Sequence, residues 1–226
     1  MIKHIRHWGF DYLHMLRGHT RAFWYLRPPR HYLGHIVRGK EPIILIPGVV
    51  EKWHFLKEFA DPLSLQGHPV YVIRKLGYNV KDIPRSSELI SELILEKNLK
   101  DVIIIAHSKG GLIGKHLLAF HNKNNEIKKL IAIATPFGGS KIARGLPGRH
   151  FKELLPESET ITRLHGEKDA NRHIVSIFGT FDNHIWPQEN ARLEGAKNIQ
   201  VDTYGHHRIL FDKKVRDIVL REANIS

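Results

Sequence analysis

The run Ile103-Ile104-Ile105-Ala106-His107-Ser108-Lys109-Gly110-Gly111 carries the residues of this chain best suited to chemistry. A β-branched apolar stretch meets a small-x-Ser-x-small turn, and a helical pattern follows at once. Such a strand-turn-helix passage holds a serine hydroxyl exposed above a sheet, beside the amides of a helix N-terminus. The turn needs small residues two positions either side of the serine, because its backbone is strained and the chain passes close to itself. Ala106 and Gly110 supply them. A hydroxyl so placed becomes a nucleophile when an imidazole takes its proton and a carboxylate orients that imidazole. The competing reading is a phosphate-binding βα turn. That would ask for G-x-x-x-x-G-K-[ST], with the lysine later and a serine or threonine after it, and neither is present.

The elements that would carry this turn follow from the apolar pattern. After Pro42, strand-like runs alternate with helical segments, the mark of βαβ units around a parallel sheet. The expected strands are 43–46, 70–73, 102–106, 130–134, 174–178 and 199–201, and their continuous apolar character suits burial on both faces. Helices are expected at 53–60, at 87–97 with Ser86 or Ser87 as N-cap, at 110–121 and at 212–223. The predicted fold class is α/β: a doubly wound, mainly parallel sheet of about six strands, with its site outside the carboxyl ends of those strands. Residues 137–155, rich in Gly, Arg and Pro and weakly periodic, are expected to form an entrance loop or small lid.

Composition narrows the class. The chain has 226 residues, 42% hydrophobic, enough for one large domain. No apolar run approaches bilayer length, and the interrupted basic start does not read as a secretory signal. Cysteine is absent, which removes disulfides and thiolate chemistry and fits a reducing, cytoplasmic setting. The formal net charge is +12, of which +7 falls in residues 1–40, where eight Lys or Arg stand against Asp11 alone. Six histidines and Trp8, Phe10, Phe23, Trp24 and Tyr25 are interleaved there. The expected organisation is therefore a basic, aromatic N-terminal extension over 1–40 and a catalytic domain over 41–226. Basic residues mixed with aromatics suit peripheral contact with an anionic membrane. They equally suit a solvated arm that packs some aromatics on the domain edge, whereas nucleic-acid binding is not favoured. His31 with His35, and His4 with His7, lack the nearby carboxylate or third ligand of a zinc site, so no metal is expected.

Over residues 42–226 the chain resembles the α/β-hydrolase family, and within it the small lipases and esterases without a large cap domain. The resemblance is carried by Ile43-Ile44-Leu45-Ile46-Pro47-Gly48, by Ala106-His107-Ser108-Lys109-Gly110-Gly111, by Thr135-Pro136-Phe137-Gly138-Gly139-Ser140, by Gly179-Thr180-Phe181-Asp182 and by Tyr204-Gly205-His206. It implies Ser108 as nucleophile, Asp182 as orienting acid and His206 as general base, in the chain order Ser, Asp, His. His206 is favoured over the adjacent His207 because it directly follows a glycine, but both can titrate. Asp169 and Asp202 are the rivals of Asp182, which could instead only close an Asx-turn. His107 is expected to pack and hydrogen-bond beneath the turn. The oxyanion hole would use the backbone N–H of Lys109 and of Val49, although Pro47, Val50 and Glu51 stand where the family often has His and glycines. Phe137, Trp53 and Trp186 are candidates for an apolar acyl pocket or for ordinary packing.

The resemblance thus implies a serine carboxylester hydrolase acting on an apolar acyl ester or lipid, with no cofactor. The same site would serve an acyltransferase or thioesterase, and the same scaffold a non-catalytic binding or tethering protein.

Overall fold

Uninterrupted apolar runs make strands that bury both faces, as at Ile43–Ile46 and at 102–106, and these lie inside a sheet of six strands in the computed structural model, which describes residues 2–225, with side chains from His7 onward. In chain order the elements are α1 (Ile2–Trp24), α2 (His31–Gly34), β1 (Ile43–Ile46), α3 (Lys57–Leu65), β2 (Val70–Val72), α4 (Ile83–Glu96), β3 (Val102–His107), α5 (Lys109–Phe120), β4 (Ile127–Ile133), α6 (Arg149–Lys152), α7 (Glu159–Gly166), β5 (Ile174–Phe181), β6 (Lys197–Tyr204) and α8 (Lys213–Asn224). The strand order is β2-β1-β3-β4-β5-β6, and every neighbouring pair is parallel. The first strand, β1, therefore lies inside the sheet, and the chain steps out to β2, crosses back to β3 and then proceeds to β6. The reversal lies between β1 and β3, where Ile46 pairs with Ala106, and a parallel sheet opens a crevice at such a point.

Alternation along each strand divides the core into two layers. Ile44, Ile46, Ile104 and Ala106 face α4, α5 and α7, through Ile90, Leu112, Leu117 and Leu164. Ile43, Leu45, Ile103 and Ile105 face α3 and α8, through Phe59, Leu63, Val215 and Val219.

The expected elements are present, with shifted ends. α4 begins at Ile83, not Ser87. Asp82 is its N-cap and accepts from Arg85 N–H at 2.7 Å, while Pro84 sits in the first turn, where no N–H is needed. Ser87 instead points inward and donates to the Ile83 carbonyl. β4 starts at Ile127 and β6 runs from Lys197 to Tyr204, because their polar flanks also pair. Within residues 1–40, Ile2–Trp24 is helical. Asp11 and Gly18 lie buried on one face, and α1 packs on the turns at Trp53–Leu56 and Arg208–Phe211. Among the described residues no helix is long and apolar enough to cross a membrane.

The join between β3 and α5 depends on Gly110. A Cβ built there would stand 2.2 Å from the Ile46 carbonyl oxygen, a backbone atom with no room to yield. Gly110→Ala is expected to destabilise the protein by about 2–3 kcal/mol in urea unfolding, whereas Gly145→Ala, with nothing within 4 Å of the new carbon, should stay within about 0.5 kcal/mol of wild type.

Candidate active site

Ser108 stands at the C-terminal end of β3 with φ 52° and ψ −124°, a strained conformation for a residue with a side chain. Its N–H is tied to the Ile133 carbonyl at 2.9 Å, and α5 starts at the next residue. The two proposed oxyanion donors are accounted for by the bonds around them. Gly48 N–H donates to Glu51 Oε2 at 2.7 Å, and Val50 N–H donates to the Tyr78 carbonyl at 2.8 Å. Between them Val49 N–H has no acceptor among the described residues, and neither has Lys109 N–H at the head of α5.

Two consecutive histidines follow β6 and meet different carboxylates. His206 Nδ1 lies 2.8 Å from Asp182 Oδ2, and its backbone N–H donates to Asn183 Oδ1 at 3.0 Å. The second Asp182 oxygen accepts from the N–H groups of His184 and Ile185 at 2.7 and 3.0 Å. The Asx-turn and the imidazole contact therefore coexist, one on each oxygen. His207 Nδ1 lies 3.0 Å from Asp11 Oδ2, and Asp11 Oδ1 accepts from the backbone N–H of His207 and of Arg208. Asp169 and Asp202 are exposed and reach neither ring.

Electrostatics separates the two rings further. Burial would push the His206 imidazole down, but the charge and hydrogen bond of Asp182, with help from Asp11 and Glu51, hold it above its ordinary value. For Asp182 burial works upward, and the positive His206 outweighs it, so the carboxyl stays below its ordinary range. His207 is held below its ordinary value, because burial and the nearby His206 outweigh its carboxylate partners. His184 lies flat on the His206 ring, with centroids 4.6 Å apart, and burial together with the charges of His206 and His207 lowers it to about 3. It thus presents a neutral face to the ring that would carry charge.

Beneath the nucleophile turn His107 is fully buried, with Nδ1 on Glu51 at 2.9 Å and Nε2 on the His206 carbonyl at 3.0 Å. Glu51 thereby links the loop after β1, the turn after β3 and the loop after β6. Three side chains at this site carry no sequence motif: Glu51, Asp11 and His184. A buried acid in a loop at a strand end is the one local signal that would have found Glu51. Asp11 is the single acid in an otherwise cationic segment, which is a weaker pointer.

Asp11, His184 and His207 bring potential ligand atoms within 4.8 Å of one another, but Asp11 and His207 are already committed to each other.

A cavity of about 330 Å³ lies over these groups. Ser108, Val49, His206, His207 and His184 form its floor. One wall comes from Pro136, Ser140, Ile142, Leu146, Phe151 and Leu154, which gives the 137–155 segment the place of an entrance wall. Tyr12, Met15 and His19 of α1 complete the lining as a second wall. The candidate aromatics do not line this cavity. Phe137 and Trp53 belong to the two core layers, and Trp186 is exposed. Lys109 turns away from the cavity and forms an ion pair with Glu153, whose other oxygen accepts from Ile83 N–H, so the entrance wall is fastened to α4 and α5.

A parallel sheet with a strained serine turn at its switch point is the α/β-hydrolase fold, and solved structures with this architecture agree. Bacillus licheniformis lipase BlEst2 in its mature form superposes with a TM-score of 0.67 at 16% identity, over 85% of this chain and 96% of that one. A monoacylglycerol lipase of Paleococcus ferrophilus gives 0.61 at 16% identity, over 83% and 97%. At such identities the likeness is one of fold. Over residues 74–205, more than half its length, the sequence matches the family described as PGAP1-like alpha/beta domain, and the chain belongs to that family. It is also 25% identical over 182 residues to lecithin-cholesterol acyltransferase-like 1 of Arabidopsis thaliana, covering 75% of this chain but spanning only 40% of that protein.

Removing the Asp11 carboxylate would strand two buried N–H groups and a ring nitrogen. Asp11→Ala is expected to destabilise by about 2–4 kcal/mol in urea at neutral pH. The folded carboxyl lies below its ordinary 3.8, held there against burial by its bonds to His207 and Arg208, so its contribution is complete above that value and fades as pH falls beneath it. The gap between wild type and variant should therefore hold through neutral and mildly acidic pH and narrow only as pH falls through and below 3.8.

Proposed function

We propose that the protein is a serine carboxylester hydrolase acting on apolar acyl esters. The observation that carries this reading is the division of labour at the cavity floor. His206 is fixed through Nδ1 by Asp182, which leaves Nε2 for the cavity that Ser108 lines, while the neighbouring ring is occupied by Asp11.

In this reading Ser108 Oγ attacks the ester carbonyl carbon and His206 Nε2 takes the hydroxyl proton. Asp182 stabilises the imidazolium that results. The negative oxygen of the tetrahedral intermediate accepts from Val49 N–H and Lys109 N–H, groups that need no reorganisation to donate. As the carbon–oxygen bond breaks, His206 returns its proton to the leaving alkoxide. Water, deprotonated by the same ring, then releases the acid from Ser108. The hydrocarbon walls at Ile142, Leu146, Phe151, Leu154, Met15 and Tyr12 support an apolar acyl chain.

The likeness to a plant protein named acyltransferase-like favours a second reading, in which an acceptor alcohol replaces water in the last step. A non-catalytic binding protein on the same scaffold is the contrasting class.

A fluorophosphonate probe should label the wild type and not Ser108→Ala, and turnover of a p-nitrophenyl ester should fall by roughly 10³-fold or more in that variant. An unlabelled wild type overturns both enzyme readings. Acyl transfer shows itself as a new ester when a competing alcohol is added.

The base works only when neutral, so activity should rise with pH through an acid limb set by His206 and lying above the ordinary imidazole value. Asp182→Asn removes the charge that raises this ring. It should lower kcat by roughly 10²–10⁴-fold and move the limb to lower pH in a rate profile.

A further inference from the structure

α1 has two working faces. Its inner face carries Asp11, pinned to His207 and Arg208, together with the cavity residues Met15 and His19. Its outer face is apolar. Leu13 and Leu16 are 60% and 57% exposed, Phe23 and Trp24 are 81% and 84% exposed, and their spacing places them on one side of the helix. A solvated helix would keep polar residues there. Beyond Trp24 the chain displays Arg27, Arg30 and Arg38, exposed and without an ion-pair partner among the described residues.

The other wall of the cavity repeats the combination. Residues 141–152 contain four cations, Lys141, Arg144, Arg149 and Lys152, and no acid, and all four are exposed. Among them Leu146 is part-exposed and also lines the cavity. Arg144 pairs with Glu157, whereas Lys141, Arg149 and Lys152 have no ion-pair partner among the described residues. Both walls of one apolar cavity thus end in exposed hydrocarbon beside cations, most of them unpaired. A partner suited to both must offer hydrocarbon behind a layer of negative charge, which is the structure of an anionic lipid surface.

Resting on the acyl-ester reading of the site, we propose that α1 and the 141–152 segment dock this protein on an anionic membrane, with the cavity mouth against the lipid and the substrate ester drawn from it. In this arrangement Leu13, Leu16, Phe23 and Trp24 enter the boundary between headgroups and acyl chains, and the surrounding cations meet the headgroup charge.

The test is flotation of the full chain with phosphatidylcholine vesicles made with and without phosphatidylglycerol. Wild type should partition about tenfold better onto the anionic vesicles. Leu13→Glu/Leu16→Glu should weaken that partition about tenfold or more, as should Phe23→Ala/Trp24→Ala, which keeps the helix free of new charge. Lys141→Gln/Arg149→Gln should weaken it by several fold from the other wall. None of these residues lines the cavity, so fluorophosphonate labelling and turnover of a soluble ester should be unchanged. Turnover of an ester carried in vesicles should fall with partition.

Absence of wild-type flotation, or flotation undiminished in both α1 variants, overturns the docking. So does a concentration-dependent dimer in light scattering that the Leu13→Glu/Leu16→Glu variant abolishes, because that result assigns the face to a second copy. If flotation behaves as expected but no probe labels Ser108, the hydrolase reading fails and the docking stands. If labelling persists without flotation, the reverse holds.

Discussion

Asp182 divides its carboxylate. One oxygen closes the turn after β5 and the other takes the His206 ring nitrogen, and the shape of the cavity floor depends on that division. A carboxylate bonded only to the imidazole could swing with it. Here the turn that holds the carboxylate is made by the carboxylate itself, so acid and ring are positioned together. His206 is braced from two further directions, with Asn183 on its N–H and His107 on its carbonyl. The ring is therefore held at its nitrogen, at both sides of its backbone and across its face by His184.

Glu51 performs the same service for the opposite rim. It accepts from Gly48 N–H in the loop that carries Val49 and from the ring of His107 beneath Ser108. Burial alone would favour the neutral acid, but the charge interactions and hydrogen bonds that Glu51 makes with the His107 and His207 rings and the Gly48 amide outweigh it, so the carboxyl lies below its ordinary range while fully inside the protein. A buried charge tolerated on such terms is strong only while all its partners are present. The loops after β1, β3 and β6 thus behave as one cooperative polar unit resting on an apolar sheet.

Much of this can be read from the sequence, for reasons that differ by element. The strands are legible because Ile43–Ile46 and 102–106 are unbroken apolar runs rich in β-branched residues, while the starts of β4 and β6 escape because Lys128, Lys197 and Asn198 read as loop. The start of α4 is obscured by Pro84, which marks a first turn as readily as a break. The positions of Ser108, Asp182 and His206 are legible because each stands just past the carboxyl end of a strand, and parallel strands end at one rim. Their supports are not. Glu51 acts on a ring 56 residues away, and Asp11 on one 196 away, and no local pattern encodes either pairing. The walls of the cavity are half legible: the Gly- and Pro-rich 137–155 segment reads as an entrance loop, but the part played by α1 does not show, and the aromatics that stand near the motifs went to the core or the surface. In residues 1–40 the basic, aromatic composition is visible at once, but the stripe of Asp11, Met15, Gly18 and Ala22 that seats α1 is short and of mixed polarity, and it gives a weak helical signal.

Gly205 allows the last of these contacts. Its φ of 127° is open to glycine, and a Cβ there would stand 2.6 Å from an Asp11 oxygen. The bond it permits joins two residues 196 positions apart, of which Asp11 is made first. At about 5–20 residues per second the ribosome needs roughly 10–40 s to cover that distance. During the wait α1 has neither the ring it will hold nor the turn at Arg208–Phe211 on which it will lie. A nascent chain in this interval carries an unseated amphipathic helix, open to chaperones or to any lipid within reach.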